Sequence, residues 1–226
     1  MNLKTVLLII FCAASAAHIG IIVMRKETAR RVSKVLVMPL LLAVYLAGTA
    51  ESGSNYYFFV IPALVLGWLG DVLLIRIDKK INFTLGLASF LLGHLCYIIV
   101  FAGIIGGGAG GGAGRLNLPA FLIFAPQAFV TSIVIFRLIK PAKDMFIAVI
   151  FYMVVLVTMG LFGFQVFLLN TGLGGLLILS GCFSFVVSDT ILAYYTFRKL
   201  KLSGSVLIMA FYILAQAEIV LGLMAL

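Results

Sequence analysis

FTLGLASFLLGHLCYIIVFAGII, residues 83–105, decides the fold. The run holds no Asp, Glu, Lys or Arg and shows no alternation of apolar with polar side chains. In lipid the backbone must satisfy its own hydrogen bonds, so an unalternating run of this length reads as a membrane helix and not as a barrel strand. Working outward, apolar runs bounded by charge or glycine fall at 3–24, 35–50, 56–75, 118–136, 145–169, 173–197 and 206–226. The fold class is all-α: a polytopic membrane protein of eight transmembrane helices in one domain, 1–226. The second run is short and carries Pro39 in its first turns, where proline is tolerated or kinks the helix.

Composition agrees. Of 226 residues 64% are hydrophobic and 10% charged, and the mean hydropathy is +1.28. A soluble domain carries about 25% charged residues, so a water-soluble globule is excluded. Eight helices leave no length for an extramembrane domain. The net charge of +9 is topology and contact with anionic lipid rather than nucleic-acid binding. Five of the 16 Lys and Arg residues follow the first run, and three each lie at 76–80, 137–143 and 198–201. The opposite side has only Lys4 and Arg115. The positive-inside rule therefore puts both termini on the non-cytoplasmic side.

Lys4, the apolar run and Ala13 to Ala17 imitate a signal peptide, but the run continues to Met24 and ends at Arg25-Lys26, which argues against cleavage. GGGAGGGAG at 106–114 lacks the Lys-Ser/Thr of a phosphate loop and reads as an external linker. Cys12, Cys96 and Cys182 lie in apolar runs without C-x-x-C spacing, so neither a metal site nor a disulfide framework is expected.

Ionisable groups inside lipid are costly and are functional candidates by default. There are five: His18, Asp71, His94, Asp189 and Glu218. Asp71 and Asp189 fall roughly 8 and 14 Å below the cytoplasmic boundary, and His94 roughly 16 Å deep, at about 1.5 Å per helical residue. These three can converge. Two carboxylates close together in low dielectric cannot easily both ionise, which sets an acid beside a base. Phe83, Gly86, Phe90, His94, Tyr97 and Phe101 share one helix face, and the polar atoms of His94 and Tyr97 make that face an interior one. Tyr212 and Gln216 share a face of the last run, while Glu218 points away. His18 reads as a packing residue.

Asp71 and Asp189 stand in similar contexts, GDVLL and SDTIL, 118 residues apart. That offset carries His94 onto Tyr212 and suggests parallel half-repeats, 1–113 and 114–226, each giving one carboxylate.

Four ordered blocks now carry a resemblance: G-D-V-L-L from Gly70, F-x-x-G-x-x-x-F-x-x-x-H-x-x-Y from Phe83 to Tyr97, S-D-T-I-L-A from Ser188, and Y-x-x-A-Q from Tyr212 to Gln216. Together they resemble the YhhN-type lysoplasmalogenase family. Lys34 with VLVMPL is similar to that family's Lys-Pro-x-x-Met-Pro-Leu block, with Val35 in place of proline. The resemblance implies an integral membrane hydrolase that cleaves the vinyl ether of lysoplasmalogens to a fatty aldehyde and a glycerophospho head group, with no cofactor. It makes Asp71 and Asp189 the catalytic candidates.

Vinyl ether hydrolysis needs a proton donor to carbon and a base for water, which two carboxylates can supply. Asp189, the deeper, is taken as the acid and Asp71 as the base, though the two could exchange. His94 and Tyr97 would orient water or steady the retained proton. Tyr97, Tyr212, Gln216, Asn82 and Ser188 would bind the polar part of the substrate, Phe90 its chain, and Lys34 or Arg76 its phosphate. The expected partners are a lysophospholipid and membrane lipid, without nucleic acid or an obligate protein partner, in a bacterial inner (cell) membrane. A proton-coupled transporter or an aspartyl intramembrane protease would use the same carboxylates, although G-x-G-D is incomplete at Gly67 to Asp71. A lipid-binding scaffold would need neither Asp to titrate.

Overall fold

A computed structural model describes residues 2–52, 57–76, 80–106, 133, 145–198 and 202–226. Among them are seven α-helices and no strand: α1 (Leu3–Val23), α2 (Glu27–Ser52), α3 (Tyr57–Leu73), α4 (Lys80–Ile105), α5 (Phe146–Leu169), α6 (Leu173–Arg198) and α7 (Leu202–Met224). A 3-10 turn, Leu74–Arg76, closes α3. Six of the seven are long and apolar enough to cross a membrane, and α3 is the short exception. The described residues are helical throughout apart from their turns and ends, and their apolar lengths make the chain an integral membrane protein. The expected span 118–136 and the glycine-rich segment 106–114 lie outside the described residues, apart from Ile133 and Gly106.

One expected boundary is corrected. The second run, read as 35–50, is a helix of 26 residues that begins at Glu27. Arg30, Arg31 and Lys34 thus belong to its first turns and not to a connection. Charge marks where apolar solvent ends, whereas a helix can continue past that line because its backbone bonds are local. Arg30 reinforces the start through two hydrogen bonds donated to Glu27, from Nε at 3.0 Å and Nη2 at 2.8 Å.

Pro39 does not end α2 either. A proline has no N–H to give the carbonyl four residues back, here that of Val35. Trp68 of α3 fills the gap, its indole Nε1 donating to the Val35 oxygen at 2.9 Å. The break in one helix becomes the tie to the next.

The described residues divide into two compact units, Met1–Val100 and Phe101–Leu226. In the first, α1 buries a narrow stripe of Phe11, His18 and Ile22 and leaves the rest of its surface outward. Asn2 caps it, its Oδ1 accepting from the Thr5 N–H at 3.0 Å. At the other end Arg25 adopts φ 57°, while the N–H groups of Arg25 and Lys26 bond back to Ile22 and Ile21. That is a Schellman close, which places an arginine where glycine is preferred. Arg25→Gly is expected to stabilise the protein by about 1 kcal/mol, seen as a higher unfolding midpoint in detergent.

In the second unit α6 and α7 approach through glycines. A Cβ on Gly174 would meet the Gly222 carbonyl oxygen at 2.9 Å, and one on Gly181 the Ala215 oxygen at the same distance. In lipid, where helix association relies on close packing, small residues allow this approach. α5 packs on α6 in the same way, Gly163 lying against Cys182.

Candidate active site

Each unit holds one of the two aspartates, each in the half of its helix nearer the end that carries positive charge in the sequence. In the first unit Asp71 is buried in the last turn of α3. Its Oδ1 lies 3.3 Å from the Lys34 ammonium of α2, which is buried as well. Three local features fix this pair. Trp68, three residues before Asp71, bonds to Val35, next to Lys34. Gly70 admits the Phe90 ring so closely that a Cβ there would stand 2.8 Å from two ring carbons. Ser89 of α4 donates to the Leu66 carbonyl at 2.6 Å, pinning α4 to α3.

Trp68→Phe is therefore expected to cost about 1 kcal/mol, the net worth of a part-buried hydrogen bond whose acceptor has lost its donor. Thermal unfolding in detergent measures it, and the loss should exceed that of a tryptophan replaced where it only packs.

The aromatic stripe of α4 is interior, as its spacing predicts: Phe83, Phe90, Tyr97 and Phe101 are buried, with His94 among them. Asn82 is half-buried in the first turn of α4. Of Arg76 only the backbone turn is described.

In the second unit Asp189 sits half-buried on α6. The Tyr152 phenol of α5 donates to its Oδ2 at 2.6 Å, the short distance typical of a hydroxyl bonded to a charged or strongly polar oxygen. Gln216 Nε2 reaches the Tyr212 hydroxyl at 3.5 Å, and Phe185 of α6 meets the Tyr212 ring edge to face with centroids 6.0 Å apart. Tyr212 and Gln216 thus form a buried polar pair on α7. Ser188 donates to the Ile208 carbonyl at 3.1 Å, so its hydroxyl joins α6 to α7.

Two polar contacts lie outside these clusters. Ser184 donates to Glu218 at 3.0 Å, which gives the Glu218 carboxylate a partner within the protein. His18 is fully buried with Nδ1 2.7 Å from Ser33 Oγ, in keeping with a packing role between α1 and α2. Tyr152 is the residue that composition and motif do not single out, since a tyrosine in an apolar run looks like packing until its neighbour is known.

A multi-pass membrane protein with a lysine-paired carboxylate on one pair of helices and a tyrosine-bonded carboxylate on another is the class that fold and site define. The YhhN family model matches residues 29–223, which include both carboxylates and both partners, and the chain belongs to that family. Comparison with curated proteins and with solved structures returns no match.

Proposed function

We propose that this protein is a membrane hydrolase that cleaves the vinyl ether bond of lysoplasmalogens, releasing a fatty aldehyde and the glycerophospho head group. Membership in the YhhN family is consistent with hydrolase activity in a membrane. The observation that carries the reading is the Tyr152–Asp189 bond: a carboxyl group inside an apolar helix, held by a phenol from the neighbouring helix. A carboxyl group so held supports acid catalysis on a lipid substrate.

The reaction divides into steps that such residues can perform. A carboxylic acid transfers its proton to the β-carbon of the vinyl ether, forming a C–H bond and leaving an oxocarbenium ion. A carboxylate stabilises that cation and takes a proton from water as the water oxygen bonds to the α-carbon. The hemiacetal then loses the glycerol oxygen as an alcohol, giving the aldehyde. Asp71 and Asp189 fill the two carboxyl roles. His94 and Tyr97 steady the water, Tyr212 and Gln216 bond the glycerol part, and Phe90 lies along the chain. In this reading the protein has eight spans, with both termini on the non-cytoplasmic side.

The test is incubation of purified protein with a mixed pool of alkenyl, alkyl and acyl lysophospholipids in D2O, followed by mass spectrometry. Only the alkenyl species should be consumed, and the aldehyde should carry one deuterium on the carbon next to the carbonyl. Loss of an acyl chain, or aldehyde without that deuterium, would overturn the reading.

A further inference from the structure

The contacts within the two units fall in one register. Asp71 and Asp189 are 118 residues apart, and so are their partners, Lys34 and Tyr152. Gly70 and Ser188 share the offset, and each touches α4 or α7 at a position that shares it again, Phe90 or Ile208. Shifted by 118, Glu27–Ser52 falls on 145–170, against α5 at Phe146–Leu169. Tyr57–Leu73 falls on 175–191, within α6, and Lys80–Ile105 on 198–223, against α7 at Leu202–Met224. No gap is needed over three helices. One arrangement has been used twice: a side chain on one helix holds a carboxylate on the next.

What differs is the holder. An ammonium 3.3 Å from a buried carboxyl oxygen favours the charged form, because the attraction is lost when the carboxylate takes up a proton. A phenol that donates to one carboxyl oxygen favours the charged form too, but a neutral donor does so less than a full positive charge beside the group. We infer that Lys34 and Tyr152 are equivalent positioning residues of a duplicated device, and that ammonium in one copy and phenol in the other divide the labour, Asp71 serving as the ionised base and Asp189 as the proton donor. The roles rest on the hydrolase reading. The division of charge does not.

Dicyclohexylcarbodiimide tests that division without turnover. It is an apolar reagent that adds to protonated carboxyl groups and leaves a stable N-acylurea, which peptide mass spectrometry locates. With the full chain in detergent at neutral pH, Asp189 should be labelled at least about tenfold faster than Asp71, the factor in protonated fraction that a single pK unit between two carboxyl groups makes. Lys34→Met should bring Asp71 into reaction, Lys34→Gln should do the same if the first variant folds poorly, and Lys34→Arg should keep it protected. In the same preparations Lys34→Gln and Tyr152→Phe should each lower kcat at unchanged KM. A head-group role for Lys34 would instead raise KM.

Label on Asp71 equal to that on Asp189 in the parent protein, no label on Asp189, or an Asp71 still protected in both neutral Lys34 variants overturns the inference. Correct labelling with no aldehyde from an alkenyl lysolipid sinks the hydrolase reading and leaves the charge division standing.

Discussion

Asp189→Asn is expected to lower aldehyde release by about a thousandfold, the middle of the range for removing a positioned general acid. The substitution keeps shape and volume. The asparagine carbonyl oxygen can still accept from Tyr152, so the 2.6 Å contact between α5 and α6 has a successor. The transferable proton has none, because an amide cannot protonate carbon. The loss should therefore fall on kcat, with KM and the unfolding midpoint close to those of the parent protein. Asp71→Asn should also abolish turnover, for the opposite reason: a neutral amide neither stabilises an oxocarbenium ion nor takes a proton from water. The measurement is initial-rate aldehyde formation from an alkenyl lysophospholipid, with circular dichroism and gel filtration confirming fold. Full activity in either variant would remove that carboxylate from the mechanism.

The carboxylates and the partners that hold them differ in how far the sequence reveals them. Asp71 and Asp189 are legible because a charged side chain in an apolar run has few neutral explanations. The stripe from Phe83 to Phe101 is legible because 3.6-residue periodicity survives whatever the helix packs against. Span positions follow from the bilayer's thickness, and most hold within a few residues. The start of α2 does not, because the basic residues 30–34 report the membrane boundary and not the helix boundary.

Pro39 misleads locally for a tertiary reason, since the group that takes over its missing hydrogen bond comes from Trp68 in another helix. Tyr152 is hidden for a related reason. Its pairing with Asp189 depends on how α5 and α6 are set against each other, and only the repeat register would have exposed it, by carrying Lys34 forward 118 residues. Lys34 itself is visible as a cation near the site, but its direction is not. A terminal ammonium reads as a phosphate ligand from sequence and lies against Asp71 in the structure.

Lys34→Met should be among the most destabilising single substitutions in the protein, and a second substitution should repair it. Lys34 and Asp71 are both buried, so removing the ammonium strands a carboxylate in low dielectric. Breaking a buried pair from one side costs about 3–5 kcal/mol. Uptake of a proton by Asp71 limits that cost, because a stranded group neutralises when it can, so a loss near about 3 kcal/mol is expected. Adding Asp71→Asn removes the stranded charge altogether, and the double variant should recover most of the stability although neither native partner remains. The coupling energy of the cycle should reach about 2 kcal/mol, large even for residues in direct contact. Unfolding midpoints in mixed detergent micelles for the four proteins give the cycle. Additive losses would mean that the 3.3 Å contact contributes nothing that the two side chains do not contribute separately. A repaired but inactive double variant would show that the pair persists for its chemistry and not for the fold.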